Sequence, residues 1–144
     1  MKKSLPQICQ QLEDPINKQD IRFCYKGTAE GLLELMAQID GEVDQDLGEF
    51  ETGLVHDNRP DENKAPTFWI WIKRFRGTIE DYAFLVHETT HLLQKLLKWL
   101  ETPLSDDTTE LCAAWHEHIF GQILTILRNQ PNKSKKPRHN LPTL

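Results

Sequence analysis

Residues 67 to 73, TFWIWIK, carry aromatic or β-branched side chains at odd and even positions alike. Successive strand side chains point to opposite faces, so a strand apolar on both faces is either covered on both sides or lines a groove. No other segment of the chain reads as strand so strongly, and any fold has to give it that environment. The 144 residues, 38% of them hydrophobic, support one modest core and call for no second domain.

The remaining elements follow from periodicity and punctuation. IRFCY (21 to 25) reads as a strand, and TAEGLLELMAQID (28 to 40) as an amphipathic helix burying Leu32, Leu33, Leu35, Met36 and Ile39. A weaker strand signal runs from Phe50 to Val55, and HDNRPDENKAP is dense enough in turn formers to be an exposed loop. Residues 1 to 19, polar and broken by Pro6 and Pro15, are at most a short helix and a lead-in. Two helices close the domain. One opens at Thr78, with Asp81 completing an approximate capping box, and runs to about Leu100 before Pro103 stops it. The other opens at Ser105, with Asp106 and Asp107 at its positive end, and finishes near Asn129 before Pro131. Their short connection makes them roughly antiparallel neighbours. Residues 1 to 130 thus form a single domain, and residues 131 to 144, basic and containing three prolines, a flexible tail.

Charge and cysteine usage narrow the function classes. A net charge of -5 argues against a nucleic-acid binder, although NKSKKPRHN in the tail is locally basic. No window approaches the roughly 18 uncharged apolar residues of a membrane span, and no apolar stretch follows the two N-terminal lysines. A soluble, cytoplasmic protein without membrane partners is expected. Cys9, Cys24 and Cys112 are odd in number, widely spaced and outside any CxxC pair, which predicts three reduced thiols, mostly packed.

The first of the two closing helices contains LVHETTHLL. At about 100° per residue, Tyr82, Leu85, Val86, Leu92, Leu93, Leu96, Leu97 and Leu100 fall on one broad arc, with His87 and His91 on the other side beside Gln94 and Lys98. Core packing therefore does not explain the histidines. Two imidazoles four residues apart project from adjoining turns and can reach one ion at about 2.0 to 2.1 Å. Glu88 flanks that position without binding it, which is the HExxH arrangement of a general base beside a metal-activated water. A catalytic zinc site usually takes a third protein ligand. Glu110, early in the next helix, is placed to face the histidines across the helix pair, on a face shared with Ala114, Glu117, Gly121 and Arg128.

HETTH followed after nineteen residues by ELCAA resembles the gluzincin branch of zinc metallopeptidases. With the strand-to-helix unit, the strand at 67 to 73 and the two closing helices, it looks like an α+β fold of minimal zincin type: a small sheet packed on an active-site helix, then a ligand-bearing helix. Residues 67 to 127 are also similar to small zincin-like proteins of bacteriophages and prophages, and distantly to the ImmA/IrrE peptidases. The resemblance implies Zn2+ held by His87, His91 and Glu110, with Glu88 as catalytic base and a peptide or protein as substrate.

Such chemistry also needs a donor for the developing oxyanion. His118, on the flank of the Glu110 face, is the preferred residue; Tyr82, Arg128, His116 and His56 are alternatives, with His116 expected to be packed or at the surface. Glu117 is placed to accept from a ligand imidazole. If zincins pair an extended substrate with the strand nearest the active-site helix, TFWIWIK is the segment for it. A non-catalytic zincin-like protein that binds a host or virion protein is the second reading, and a metal-free polar cluster the third.

Overall fold

The computed structural model describes residues 3 to 130. The elements are β1 (Ile8–Leu12), β2 (Asp20–Tyr25), α1 (Ala29–Asp40), β3 (Gly53–Asn58), β4 (Thr67–Ile72), α2 (Ile79–Trp99) and α3 (Thr109–Arg128). The four strands form one mixed sheet in the order β1-β2-β4-β3, with β2 and β4 parallel and both outer strands antiparallel to their neighbours. Helices cover both faces, so the chain is an α+β domain.

The strand at 67 to 72 lies in the middle, as its composition requires. Phe68, Ile70 and Ile72 join Ile21, Phe23, Leu85, Leu92, Trp115, Ile119 and Ile123 in the larger core under α2 and α3. Trp69 and Trp71 point the other way, onto Leu32 and Met36 of α1. Each indole N–H finds an acceptor, Trp69 Nε1 at Asp40 Oδ2 and Trp71 Nε1 at the Lys26 carbonyl, both 2.8 Å, as buried indoles usually require. Because β4 is paired along both edges, it cannot add a substrate strand; the sheet edges are β1 and β3.

Three boundaries differ from the sequence-based expectation: the third strand runs Gly53–Asn58 instead of Phe50 to Val55, so that His56 and Asn58, expected in an exposed loop, are buried in β3. Residues 8 to 12 form an edge strand instead of a polar lead-in, because one face of β1 needs only Ile8 and Leu12 for the larger core while the other gives Cys9 to the α1-side cluster and leaves Gln11 exposed. The N-terminal segment also caps α1: the Ser4 carbonyl accepts from the Thr28 N–H at 2.8 Å, and a Cβ on Gly31 would come within 1.8 Å of that oxygen, so only glycine fits. The last helix starts at Thr109, since residues 105 to 108 close a turn in which the Ser105 N–H donates to Thr108 Oγ1 at 2.9 Å. The tail expected at residues 131 to 144 lies outside the described residues.

The rotation of α3 is set by the β1–β2 connection. Asp14, 6% exposed, accepts from Trp115 Nε1 at 2.9 Å and from the Asn17 N–H at 3.0 Å. Gln122 exchanges two hydrogen bonds with the Glu13 backbone, both 2.8 Å. α2 lies over the other half of the sheet, against β3 and β4. No helix among the described residues is long and apolar enough to cross a membrane.

Candidate metal centre

α2 starts at a complete capping box: the Asp81 N–H donates to Thr78 Oγ1 at 3.1 Å, and the Thr78 N–H donates to Asp81 Oδ2 at 3.3 Å. From this fixed start Leu85, Leu92 and Leu96 point into the core, while His87, His91, Gln94 and Lys98 are exposed. The separation of the histidines from the apolar arc follows the helical period.

The two imidazoles meet edge to face, with centroids 4.5 Å apart and planes at 85°, and bring their Nε2 atoms to 3.0 Å. Two nitrogens bound to one tetrahedral ion at 2.0 to 2.1 Å stand about 3.3 Å apart. Only a small ring adjustment separates this pair from a two-point grip on a metal. His91 Nδ1 lies 3.2 Å from Gln94 Oε1. A proton on Nδ1 donates to that amide oxygen and leaves the Nε2 lone pair outward, the tautomer a ligand needs. Gln94 sits three residues after His91, a spacing visible in the sequence but carrying no weight there.

Glu88 occupies the side of α2 that runs along β3. On that side a Cβ at Gly53 would meet the Phe84 ring at 2.6 Å, and Lys95 Nζ bonds Asp57 Oδ1 at 3.3 Å. Glu88 is 8% exposed, and its carboxylate has no hydrogen bond or ion pair among the described residues. Burial raises its pKa, and the neighbouring His87 and His91 pull it back when charged. A buried carboxylate of raised basicity, next to two convergent imidazoles, has the properties of a general base.

α3 does not complete this group. Thr89 projects about 200° round the helix from His87, and its Oγ1 lies 2.7 Å from His116 Nε2. α3 therefore meets the side of α2 opposite the histidine pair. Ile119, nine residues after Glu110 and so half a turn from it, is fully buried. Glu110 is accordingly exposed, on the outer face with Ala114, Glu117 and Gly121. Among the described residues no three His, Cys, Asp or Glu side chains gather to hold one ion. The expectation that Glu110 faces the histidines is thus corrected: Trp115, held by Asp14, and the apolar residues beside it fix the rotation of α3 and turn Glu110 to solvent.

The same rotation moves the other residues named from the sequence. His118 lines a surface groove with Gln10, Glu117, Gln122 and Thr125, on the β1 side of α3. The α3 histidine that faces α2 is His116, half-buried, with its pKa lowered by burial. Tyr82 packs edge-on against Phe75 at 5.1 Å, and its buried hydroxyl has no hydrogen-bond partner. His56 lies on the other face of the sheet, with Nε2 2.8 Å from Asp44 Oδ1. Arg128 ends α3. None of the five joins the His87–His91 pair. Set against protein-family models, curated proteins and solved structures, the chain has no match.

Proposed function

We propose that the HETTH turn is the core of a zinc-dependent, metallopeptidase-like centre, with His87 and His91 as ligands and Glu88 as general base. The observation that carries this reading is the 3.0 Å approach of the two Nε2 atoms on an exposed helix face, beside a buried carboxylate without a hydrogen-bond partner. The donors fit a zinc ion in part: two neutral imidazoles converge, and the third protein ligand of a usual catalytic set is not gathered with them. A zinc ion held there would supply Lewis acidity toward a water and a peptide carbonyl. Glu88, held basic by burial, accepts the proton of the attacking water and returns it to the leaving amine. Gln94 keeps the His91 ring in its ligand tautomer. Exposure of the histidines leaves the face open to a peptide.

The test is metal analysis of the full chain, stripped and then offered one equivalent of zinc, for wild type, His91→Ala, Glu110→Ala and Glu88→Gln. Wild type, Glu110→Ala and Glu88→Gln are expected to keep the zinc, and His91→Ala to lose it. Absence of zinc from the wild type sinks the metal centre. Loss in Glu110→Ala alone among the acidic variants means that α3 turns to bring the carboxylate in. Peptide hydrolysis that survives Glu88→Gln removes Glu88 from the role of base.

The outward position of Glu110 favours a second reading, a zincin-like protein that binds zinc and a host or virion protein without hydrolysing it. Partner capture then depends on His91 and is indifferent to Glu88→Gln.

A further inference from the structure

Cys9 and Cys24, fifteen residues apart and unremarkable in the sequence, are direct partners across the antiparallel β1–β2 ladder. Directly opposed residues point to the same face, and their Cα atoms stand about 4.5 to 5.5 Å apart. Disulfides span Cα separations of about 4.4 to 6.8 Å, so the spacing of directly opposed residues is within reach of a bond. Cys24 is fully buried against Trp69, Trp71, Leu32 and Met36, and Cys9 packs at the half-open rim of that cluster.

The surroundings make the two thiols unequal. The Cys24 thiol donates toward Cys9, and this is the main influence that brings the Cys9 pKa down to about 7; burial opposes it and the Arg22 charge assists. Cys24 is driven the other way by the same hydrogen bond and by burial. Arg22 adds an independent sign. Its Nε is buried without a hydrogen-bond partner, and the nearest carboxylate oxygen, Asp20 Oδ1, stands 3.9 Å off. A thiolate at Cys9 gives that guanidinium an anion on the same face of the sheet.

We propose that Cys9 and Cys24 form a peroxide-oxidisable dithiol, with Cys9 the attacking sulfur and Cys24 the resolving one. The Cys9 thiolate attacks one oxygen of a hydroperoxide and breaks the O–O bond. Sulfur is oxidised to sulfenic acid, and the other oxygen leaves as an alcohol, or as water from hydrogen peroxide, after taking up a proton. The Cys24 sulfur then attacks Cys9 sulfur and expels the hydroxyl, which leaves as water with the Cys24 proton. Two thiols and one peroxide give one disulfide and two hydroxyl products, so the electrons balance. The bond would staple the edge strand β1 to β2 and close the segment whose Asp14 holds Trp115 of α3. This site is on the α1 side of the sheet and is independent of the HETTH turn.

The experiment treats the reduced full chain with a small excess of hydrogen peroxide at neutral pH, unfolds it in N-ethylmaleimide and maps the peptides by mass. The expected product has lost two hydrogens, joins the Cys9 and Cys24 peptides, leaves Cys112 alkylated, and reverts with dithiothreitol. In the native reduced protein, Cys9 should alkylate at least about tenfold faster than buried Cys112. Cys24→Ala should leave a dimedone-trappable sulfenic acid on Cys9, and Cys112→Ser should change nothing. The proposal is overturned if Cys24 is still alkylated after peroxide, if the new bond involves Cys112, or if Cys9→Ser oxidises at Cys24 as readily as wild type. The wild-type map decides the matter even where a variant fails to fold.

Discussion

On the α1 side of the sheet, Asn58 donates to Asp40 Oδ2 at 2.8 Å and to the Glu42 carbonyl at 2.9 Å, and accepts from the Asp44 N–H at 2.9 Å. Asp44 in turn meets His56 Nε2 and the Arg59 N–H, both at 2.8 Å, and Asp40 holds Trp69. On the α2 side, Glu88 is nearly as buried and its carboxylate has no hydrogen bond, while His87 and His91 face mainly each other. Both groups mix histidine with carboxylate. In the first, the polar atoms are used up by the fold, fastening residues 40 to 44 and 58 to 59 to the sheet. In the second they are held together with capacity left over. Glu88 thus holds a carboxylate that no other side chain uses next to two convergent imidazoles, which is the spare capacity a ligand would take up.

The largest test of this contrast is stability. Asn58→Ala, at a residue 1% exposed, removes three hydrogen bonds and is expected to lower the unfolding free energy by about 3 kcal/mol. His91→Ala, an exposed change, should stay within about 0.5 kcal/mol in metal-free protein. Urea unfolding of both measures the difference. Equal losses would erase the distinction between a fastening network and a site.

Zinc should close that gap. A ligand of the native state at about 100 times its Kd adds about 2.7 kcal/mol. That gain is expected in wild type and in Asn58→Ala, whose HETTH turn is intact, and not in His91→Ala. Thermal unfolding with and without zinc checks it, and a gain of equal size in His91→Ala would place zinc elsewhere.

The two clusters also show what the sequence can carry. HETTH was legible because the spacing of His87, Glu88 and His91 is local, and the helix period alone puts the histidines off the apolar arc. The doubly apolar strand was legible for the same reason, and only its place at the sheet centre removes it as a docking strand. Glu110 and His118 were misplaced because the rotation of α3 is set by Asp14, which bonds Trp115 a hundred and one residues away. The pairing of Cys9 with Cys24 is likewise a fact of register. His56 gives no sign in the sequence that Asp44 and the opposite face of the sheet claim it.

A smaller effect sharpens the role of Glu88. Burial raises its pKa, so the stability its neutral form contributes is present below the unfolded value near 4.5 and is lost as pH rises through the folded value. Glu88→Gln removes the buried charge and is expected to stabilise metal-free protein at neutral pH by about 1 kcal/mol, with the gain fading toward about pH 4. A residue kept at the expense of stability is typical of a functional site. Destabilisation by Glu88→Gln at neutral pH would assign Glu88 to the fold.

The smallest effect concerns the joint between the two long helices. His116 has its pKa lowered by burial, so its stability contribution is complete above the unfolded value near 6.5 and is lost as pH falls through the folded one. Thr89 Oγ1 also lies 3.1 Å from the Val86 carbonyl. If the hydroxyl donates there, it accepts from His116 Nε2–H, a bond that an imidazolium keeps. What acid removes is then the neutral ring's freedom from a desolvation penalty, not the hydrogen bond. Unfolding free energies of wild type and His116→Gln, compared from about pH 8 to about pH 5, should converge as the pH falls, since the other histidines titrate in both proteins. Parallel curves would mean that the joint is insensitive to protonation and that His116 serves only as a spacer between α2 and α3.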